Sequence, residues 1–349
     1  MANIFARSPY IIRIAESGQI GSKVELFLSN TTFIGTPTYT LSKLIPATNN
    51  VETLYDISLY IREYINLVFP EPTNVAVVNP THERVNVRVK RYKLVGTTYT
   101  LLDTTDYKAF DGYTAYIDGY NHDLGNYGLD AGNYYYWNDS PNGWGNIRVI
   151  GGASFTAKYT SFHPTPTITS LSISNGTYNI PTVLNTNDLV GNKVEILAAN
   201  LGIAATWNFY PQEECKYTPV IIDFVNRYGA WQRQYFFKAS NDTFSVENTE
   251  YNLMQKSDFY PFHYEISKGQ RQIFNVNGKS SIKVNTGWVD ETWNEVLKQI
   301  MLSEQILINQ LYPAKINTKS TELFKHINTK QINYSLDFEF TYDAINSVV

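Results

Sequence analysis

The stretch QINYSLDFEFTYD, residues 331–343, restricts what this chain can fold into. Ile332, Tyr334, Leu336, Phe338, Phe340 and Tyr342 fall on one side of an extended backbone, and Asn333, Ser335, Asp337, Glu339 and Thr341 fall on the other. Such alternation predicts a long half-buried strand in the core of a C-terminal domain. Val85, Val87 and Val89 in RVNVRVK repeat the pattern, as do Val24, Leu26 and Leu28 in KVELFLS. A mainly β fold follows, built as two antiparallel β-sandwich or barrel-like domains, each with a covering α-helix.

Two segments have helical spacing instead. Ile57, Tyr60, Ile61, Tyr64, Ile65 and Val68 share one face of a helix near 57–68, with Asp56 placed as its cap. Trp293, Val296, Leu297, Ile300 and Met301 do the same near 290–303, behind Asp290 as cap and with Glu291 at the positive helix end. The second helix is expected to cover the C-terminal sheet.

Length predicts at least two domains, and Pro164 and Pro166 suggest where they part, because neither can join a central strand ladder. The expected organisation is an N-terminal domain over 1–162, a linker over 163–169 and a C-terminal domain over 170–349. GSKVELFLSN at 21–30 is echoed by GNKVEILAAN at 191–200, which raises a duplication whose halves open with a related hairpin strand.

Charged residues make up 17% of the chain, below the ~25% of an average soluble protein, while 27 Tyr and 18 Phe bring aromatics to 15%. That balance calls for much covered β surface, within the chain or in an assembly. A net charge of -4 with scattered Lys and Arg leaves no basic footprint for nucleic acid. The N-terminus has no signal-like apolar core, and no uncharged span suits a membrane, so synthesis in the cytoplasm without membrane insertion is expected.

The chain contains no phosphate-binding loop, nucleophile elbow or zinc-helix motif. His82, His122, His163, His263 and His326 stand far apart, and Cys215 has no identifiable base, so no enzyme, metal or cofactor is expected. Asp111, Asp118, Asp123 and Asp130 have two readings. They could supply a carboxylate pair for glycoside hydrolysis or oxygen ligands for calcium, or they could serve the turns that Asp and Gly favour.

LDAGNYYYWNDSPNGWGN, at 129–146, is the densest aromatic stretch of a Gly-rich loop over 111–146. In a strand, Tyr134 and Tyr136 face one way and Tyr135 and Trp137 the other, so one pair is expected inside the domain. The other pair, with Trp144, is then available to a neighbouring subunit or a sugar. Tyr134, Tyr136, Trp137 and Trp144 are the candidate interaction residues.

RSPYII, KVELFL, DISLYIREYI and YKAFDGY in the first half resemble virion structural proteins of tailed bacteriophages, particularly phages of Bacteroidetes and marine bacteria. In the second half the resemblance is carried by EECKYTPVIIDFVNRYGAWQRQYFFKAS, VNTGWVDETWNEVLKQIMLSEQILI and INYSLDFEFTYDAIN. It implies a non-enzymatic component of the tail, baseplate or neck, with partners among copies of itself in a ring or fibre and other virion proteins. Neighbours would be joined by exposed edge strands or by the N-terminal arm 1–10. The alternatives are a carbohydrate-binding receptor module that binds host surface glycan and, behind it, a glycan-cleaving enzyme using Asp118 or Asp123.

Overall fold

A computed structural model of the chain describes residues 2–45, 52–69, 77–78, 84–121, 128, 130–137, 146–149, 155–173, 177–198, 202–214, 216–254, 261, 263–323 and 332–346. Among them the fold is mainly β, as the alternation predicts, with two α-helices. The chain divides into two compact units: Met1–Cys215, Asp223–Gln234 and Thr292–Ser303 form the first, and Lys216–Ile222, Tyr235–Glu291 and Glu304–Val349 the second.

This division corrects the expected boundary. Residues 163–169 form no linker between domains: most of them make the turn of a hairpin between two strands of one sheet. Ser161 donates its N–H to the Thr167 carbonyl at 3.0 Å and accepts from the Thr167 N–H at 2.9 Å. The prolines lie in the turn, where no ladder hydrogen bond is required of them.

The first unit contains one topology twice. In the first copy β1 (Ala2–Phe5), β2 (Ile11–Ile14), β3 (Gly21–Ser29), β4 (Tyr39–Leu44) and β5 (Thr53–Asp56) precede α1 (Ser58–Tyr64). A short β6 (Val77–Val78) leads on to β7 (Arg84–Val95) and β8 (Thr98–Phe110). The large sheet runs β1-β8-β7-β3-β4, with β1 parallel to the end of β8, and β2 pairs with β5 apart from it.

The second copy has β9 (Tyr134–Trp137), β10 (Asn146–Arg148), β11 (Phe155–Ser161), β12 (Ile168–Ile173) and β13 (Thr177–Pro181). A 3-10 turn, Thr186–Val190, replaces the helix before β14 (Asn192–Ala198) and β15 (Gly202–Gln212). Its large sheet runs β9-β15-β14-β11-β12, again with the first strand parallel to the end of the last, and β10 pairs with β13. Among the described strands β6 has no counterpart, and it pairs with β13 of the second copy.

Topology therefore equates β3 with β11 and β14 with β7. The echo between residues 21–30 and 191–200 joins β3 to β14, which are not equivalent strands. The duplication is in the fold, and the shared KVE string does not mark it.

In the first copy Val24, Leu26 and Leu28 of β3 and Val85, Val87 and Val89 of β7 pack beneath Ile12, Ile14, Tyr55, Ile57 and Ile61. The large sheet is thus covered on one face by the β2–β5 pair and α1. Helix α1 stops at Tyr64, short of the predicted 68, because Ile65 turns extended at φ -71 and ψ 127. Asp56 steadies its start, accepting from the Ser58 N–H at 3.0 Å and the Tyr10 N–H at 3.2 Å. β1 is no free arm: it is a strand of its own sheet, with Ile4 and Phe5 buried, so residues 2–5 are not available for exchange with a neighbour.

The chain passes between units inside β16 (Val220–Val225) and β17 (Trp231–Phe236). The second unit holds β18 (Ser240–Asn252), β19 (Arg271–Asn285), β20 (Ile306–Ile308), β21 (Tyr312–Ile316) and β22 (Ser335–Asp343), hydrogen-bonded in the order β18-β19-β22-β21-β20. The strand begins at Ser335 rather than 331, and only part of the expected face is core: Ile332, Tyr334, Leu336 and Phe338 are buried, Phe340 is half-buried and Tyr342 is exposed.

The second helix, α2 (Trp293–Met301), belongs to the first unit and not to the C-terminal one. Its N-cap position is Thr292, two residues past the expected Asp290. Val296 sits so close to Gly132 that a Cβ there would lie 2.5 Å from its methyl, and Gln299 accepts from the Arg227 N–H at 3.1 Å. Its apolar face fits the segments around Gly132 and Arg227, which sequence periodicity alone could not identify. Among the described residues no helix is long and apolar enough to cross a membrane.

Candidate functional site

The YYYW run is β9, added parallel to the end of β15 with Tyr134 opposite Phe209 and Tyr135 opposite Tyr210. Alternation splits the run as expected. The Tyr134 ring stacks on Phe209 with centroids 4.7 Å apart, and Tyr135 stacks on Tyr210 across the other face at 5.5 Å. The Tyr134 hydroxyl donates to Asp130 Oδ2, and the Tyr136 hydroxyl donates to the Leu189 carbonyl at 3.0 Å. Burial pushes both phenols above their ordinary pKa, and Asp130 or Asp188 adds to the rise.

Tyr134, Tyr135 and Tyr136 are all buried, so both sides of the run are covered within the chain. The expectation that Tyr134 or Tyr136 is open to a ligand is corrected: β9 needs their rings to seal the edge of its sheet. Trp137 is half-buried, and Trp144 lies outside the described residues.

The acidic loop is absorbed by the fold in a similar way. Asp118 accepts from the Arg227 guanidinium at 2.7 Å and from the Ala115 N–H at 3.0 Å, closing a 3-10 turn. Asp111 is buried 3.5 Å from Arg62, with the backbone of Gly229 against it. Asp130 takes the Tyr134 hydroxyl and the Arg148 N–H, while Trp207 donates to its carbonyl at 3.3 Å. Asp123, Cys215, His82, His122 and His326 lie outside the described residues. His163 Nδ1 accepts from the Thr165 N–H in the hairpin turn. Among the described residues no three His, Cys, Asp or Glu side chains converge as metal ligands do.

A cleft of about 490 Å³ opens beside Asp130, Asn133, Trp207, Tyr228, Thr292 and Glu295. There Asp130 accepts from Tyr134 of β9 and Arg148 of β10, and Glu295 accepts from Lys298 Nζ and Gln299 Nε2 at 3.4 Å.

Among the described residues, a two-stranded ribbon extends past its sheet. β18 and β19 pair from Ser240 with Val284 to Asn252 with Arg271, but β22 covers β19 only from Lys279 to Asn285. Beyond that, no other described strand pairs with the two. Every residue of β18 is exposed, including Phe244 (60%) and Val246 (56%), and so are Ile273 (57%) and Phe274 (49%) on β19.

Local chemistry holds the ribbon in shape. The Phe244 ring lies over Gly278, where an added Cβ would come within 2.2 Å of it and push the ring aside. Asn275, at φ 52, accompanies the bulge between Glu247 and Thr249, which twists the pair. Tyr251 meets Phe274 edge-on at 5.5 Å, and Lys279 binds Glu247 at 3.1 Å. A two-stranded ribbon is at best marginal alone in water, and exposed apolar side chains on both faces mark it as a contact surface.

Alternation in FSV and IFNV looks like that of any half-buried strand, so the ribbon was not singled out in the sequence. The signal present was weak: TFSVENTEYN and RQIFNVNGK mix apolar and polar residues on both faces, which a strand covered on one face would not.

The chain matches no family model, no curated protein and no solved structure.

Proposed function

We propose that the chain is a non-enzymatic structural component of a tailed bacteriophage virion, in its tail, baseplate or neck, working by subunit-subunit assembly after synthesis in the host cytoplasm. The observation that carries this reading is the β18–β19 ribbon, whose exposed Phe244, Val246, Ile273 and Phe274 need a partner surface. Low charge and abundant tyrosine support it, and so does the resemblance of phrases along the chain. The described carboxylates of the acidic loop have structural partners, which weakens the glycan-cleaving alternative. The carbohydrate-binding alternative loses Tyr134 and Tyr136, whose rings are buried.

Sedimentation and electron microscopy of the purified chain test the reading, together with mass spectrometry of purified particles. Discrete rings or fibres, and the chain's presence in the particle, are expected. A chain that stays monomeric at assembly concentrations and is absent from particles contradicts it.

A further inference from the structure

The two copies in the first unit end their large sheets on equivalent outer strands, β4 and β12, and the two edges differ in protection. β4 reads YTLSKL, and its Lys43 reaches back to the Leu54 carbonyl at 2.5 Å with its ammonium 5.1 Å from the Tyr55 ring centre. A lysine on an edge strand discourages further pairing.

β12 reads ITSLSI and carries no charge and no proline. It pairs with β11 over six consecutive residues without a bulge, and its outer edge pairs with nothing among the described residues. Ile168, Ser170 and Ser172 are exposed. A neutral, regular edge of this kind lacks the charge, proline and bulge that keep strands apart, and it offers main-chain groups to any extended segment that reaches it.

β18 is the complementary element, since it is the outer strand of its own sheet and exposed along its whole length. Its acidic side chains decide between acceptors. Two β18 strands paired antiparallel about Val246 would set Asp242 of each copy opposite Glu250 of the other, and like charges facing across a ladder destabilise it. β12 presents no charge to oppose them.

We propose that the open edge of β12 receives β18 of the ribbon from a second copy of this chain by strand addition. The inference rests on the assembly reading above and names its contact. Donor and acceptor are different surfaces, so the contact is head-to-tail and propagates as a ring or a fibre.

The test uses the full chain with Cys215→Ser and Ser170→Cys, combined in turn with Thr243→Cys, Ser245→Cys and Thr249→Cys. A disulfide needs Cα atoms within ~7 Å, so only variants in register can close between copies. The expected result is a ladder of linked chains at one β18 position and little at the others. Ser170→Glu with Ser172→Glu should weaken assembly at least tenfold, while Ser170→Thr, which keeps the edge neutral, leaves it intact. Sedimentation of the same samples separates two failures. Oligomers that cross-link at no position and ignore Ser170→Glu overturn this contact and leave the assembly reading standing. Monomers throughout overturn both, and a disulfide formed within one chain overturns the contact.

Discussion

The ring of Tyr134 lies on that of Phe209, tilted only 9° from parallel, and its hydroxyl donates to Asp130. The side chain therefore serves the core twice, through apolar stacking and through a buried hydrogen bond. Tyr134→Ala is expected to cost about 3–5 kcal/mol in denaturant unfolding. Tyr134→Phe, which keeps the stack and takes one of Asp130's donors, should cost about 1–3 kcal/mol. A Tyr134→Ala chain as stable as the parent would show that β9 does not seal this core.

Gly229 holds φ +75, and a Cβ there would lie 2.6 Å from backbone atoms of Asp111. Gly18 has φ +72 with open space around it. Both pay for a left-handed backbone on mutation to alanine, but only Gly229 also collides with main chain. Gly229→Ala should cost about 2–4 kcal/mol against about 1 kcal/mol for Gly18→Ala. Equal melting temperatures for the two variants would contradict that close approach.

Glu195 is buried between Lys193, 2.5 Å away, and Lys158, 3.5 Å away. The hydrogen bond from Lys193 holds its carboxyl below the ordinary value of 4.5, against the opposing effect of burial. A folded-state pKa below the unfolded one stabilises the fold above that ordinary value and is lost as pH falls through the lower one. Asp103 and Asp106, lowered by Arg91 and Arg88, act in the same direction. Unfolding free energy should fall below about pH 4.5, and Glu195→Gln should flatten the upper part of that slope. An unchanged slope in the variant would remove Glu195 from the account.

Asp223 and Arg233 form a buried bidentate pair, at 2.8 and 3.2 Å. Burial raises the Asp223 carboxyl above its ordinary value, with Arg233 opposing the rise. Arg233→Met leaves Asp223 without its bidentate partner, with only the more distant charge of Arg148 to offset its burial, and is expected to cost about 3 kcal/mol. Asp223→Leu with Arg233→Met should recover most of that loss, because the desolvation penalty disappears with the charges. Additive losses in the double variant would argue against a coupled pair.

Val246→Lys with Ile273→Lys alters only exposed ribbon positions. Stability should change by no more than about 0.5 kcal/mol per site, while self-association in sedimentation is lost. Assembly that survives both charges would move the contact away from the ribbon.

Period-two alternation is a local consequence of the extended backbone, so the strands around Val87, Val24 and Phe338 were legible without any partner. The split of Tyr134 and Tyr136 from Tyr135 and Trp137 was legible for the same reason. What lies against each face is another matter. Both sides of β9 are covered because Phe209 and Tyr210, some 75 residues later, arrive beside it. Periodicity also found α2, but placed it on the wrong sheet, since a helix's apolar stripe carries no address for the surface it meets.

The prolines at 164 and 166 announced a break in the ladder, and only the pairing of β11 with β12 made that break a hairpin turn rather than a linker. The duplication shows the limit best: GSKVELFLSN and GNKVEILAAN match as strings yet occupy different places in the two copies, while the equivalent strands β3 and β11 share little. By itself the sequence determined which residues extend, which coil and which side chains share a face, because those depend on neighbours along the chain. Tertiary structure alone decided which faces are covered, that one topology is used twice, and that the β18–β19 ribbon is left bare, because burial depends on long-range pairing that no local pattern encodes.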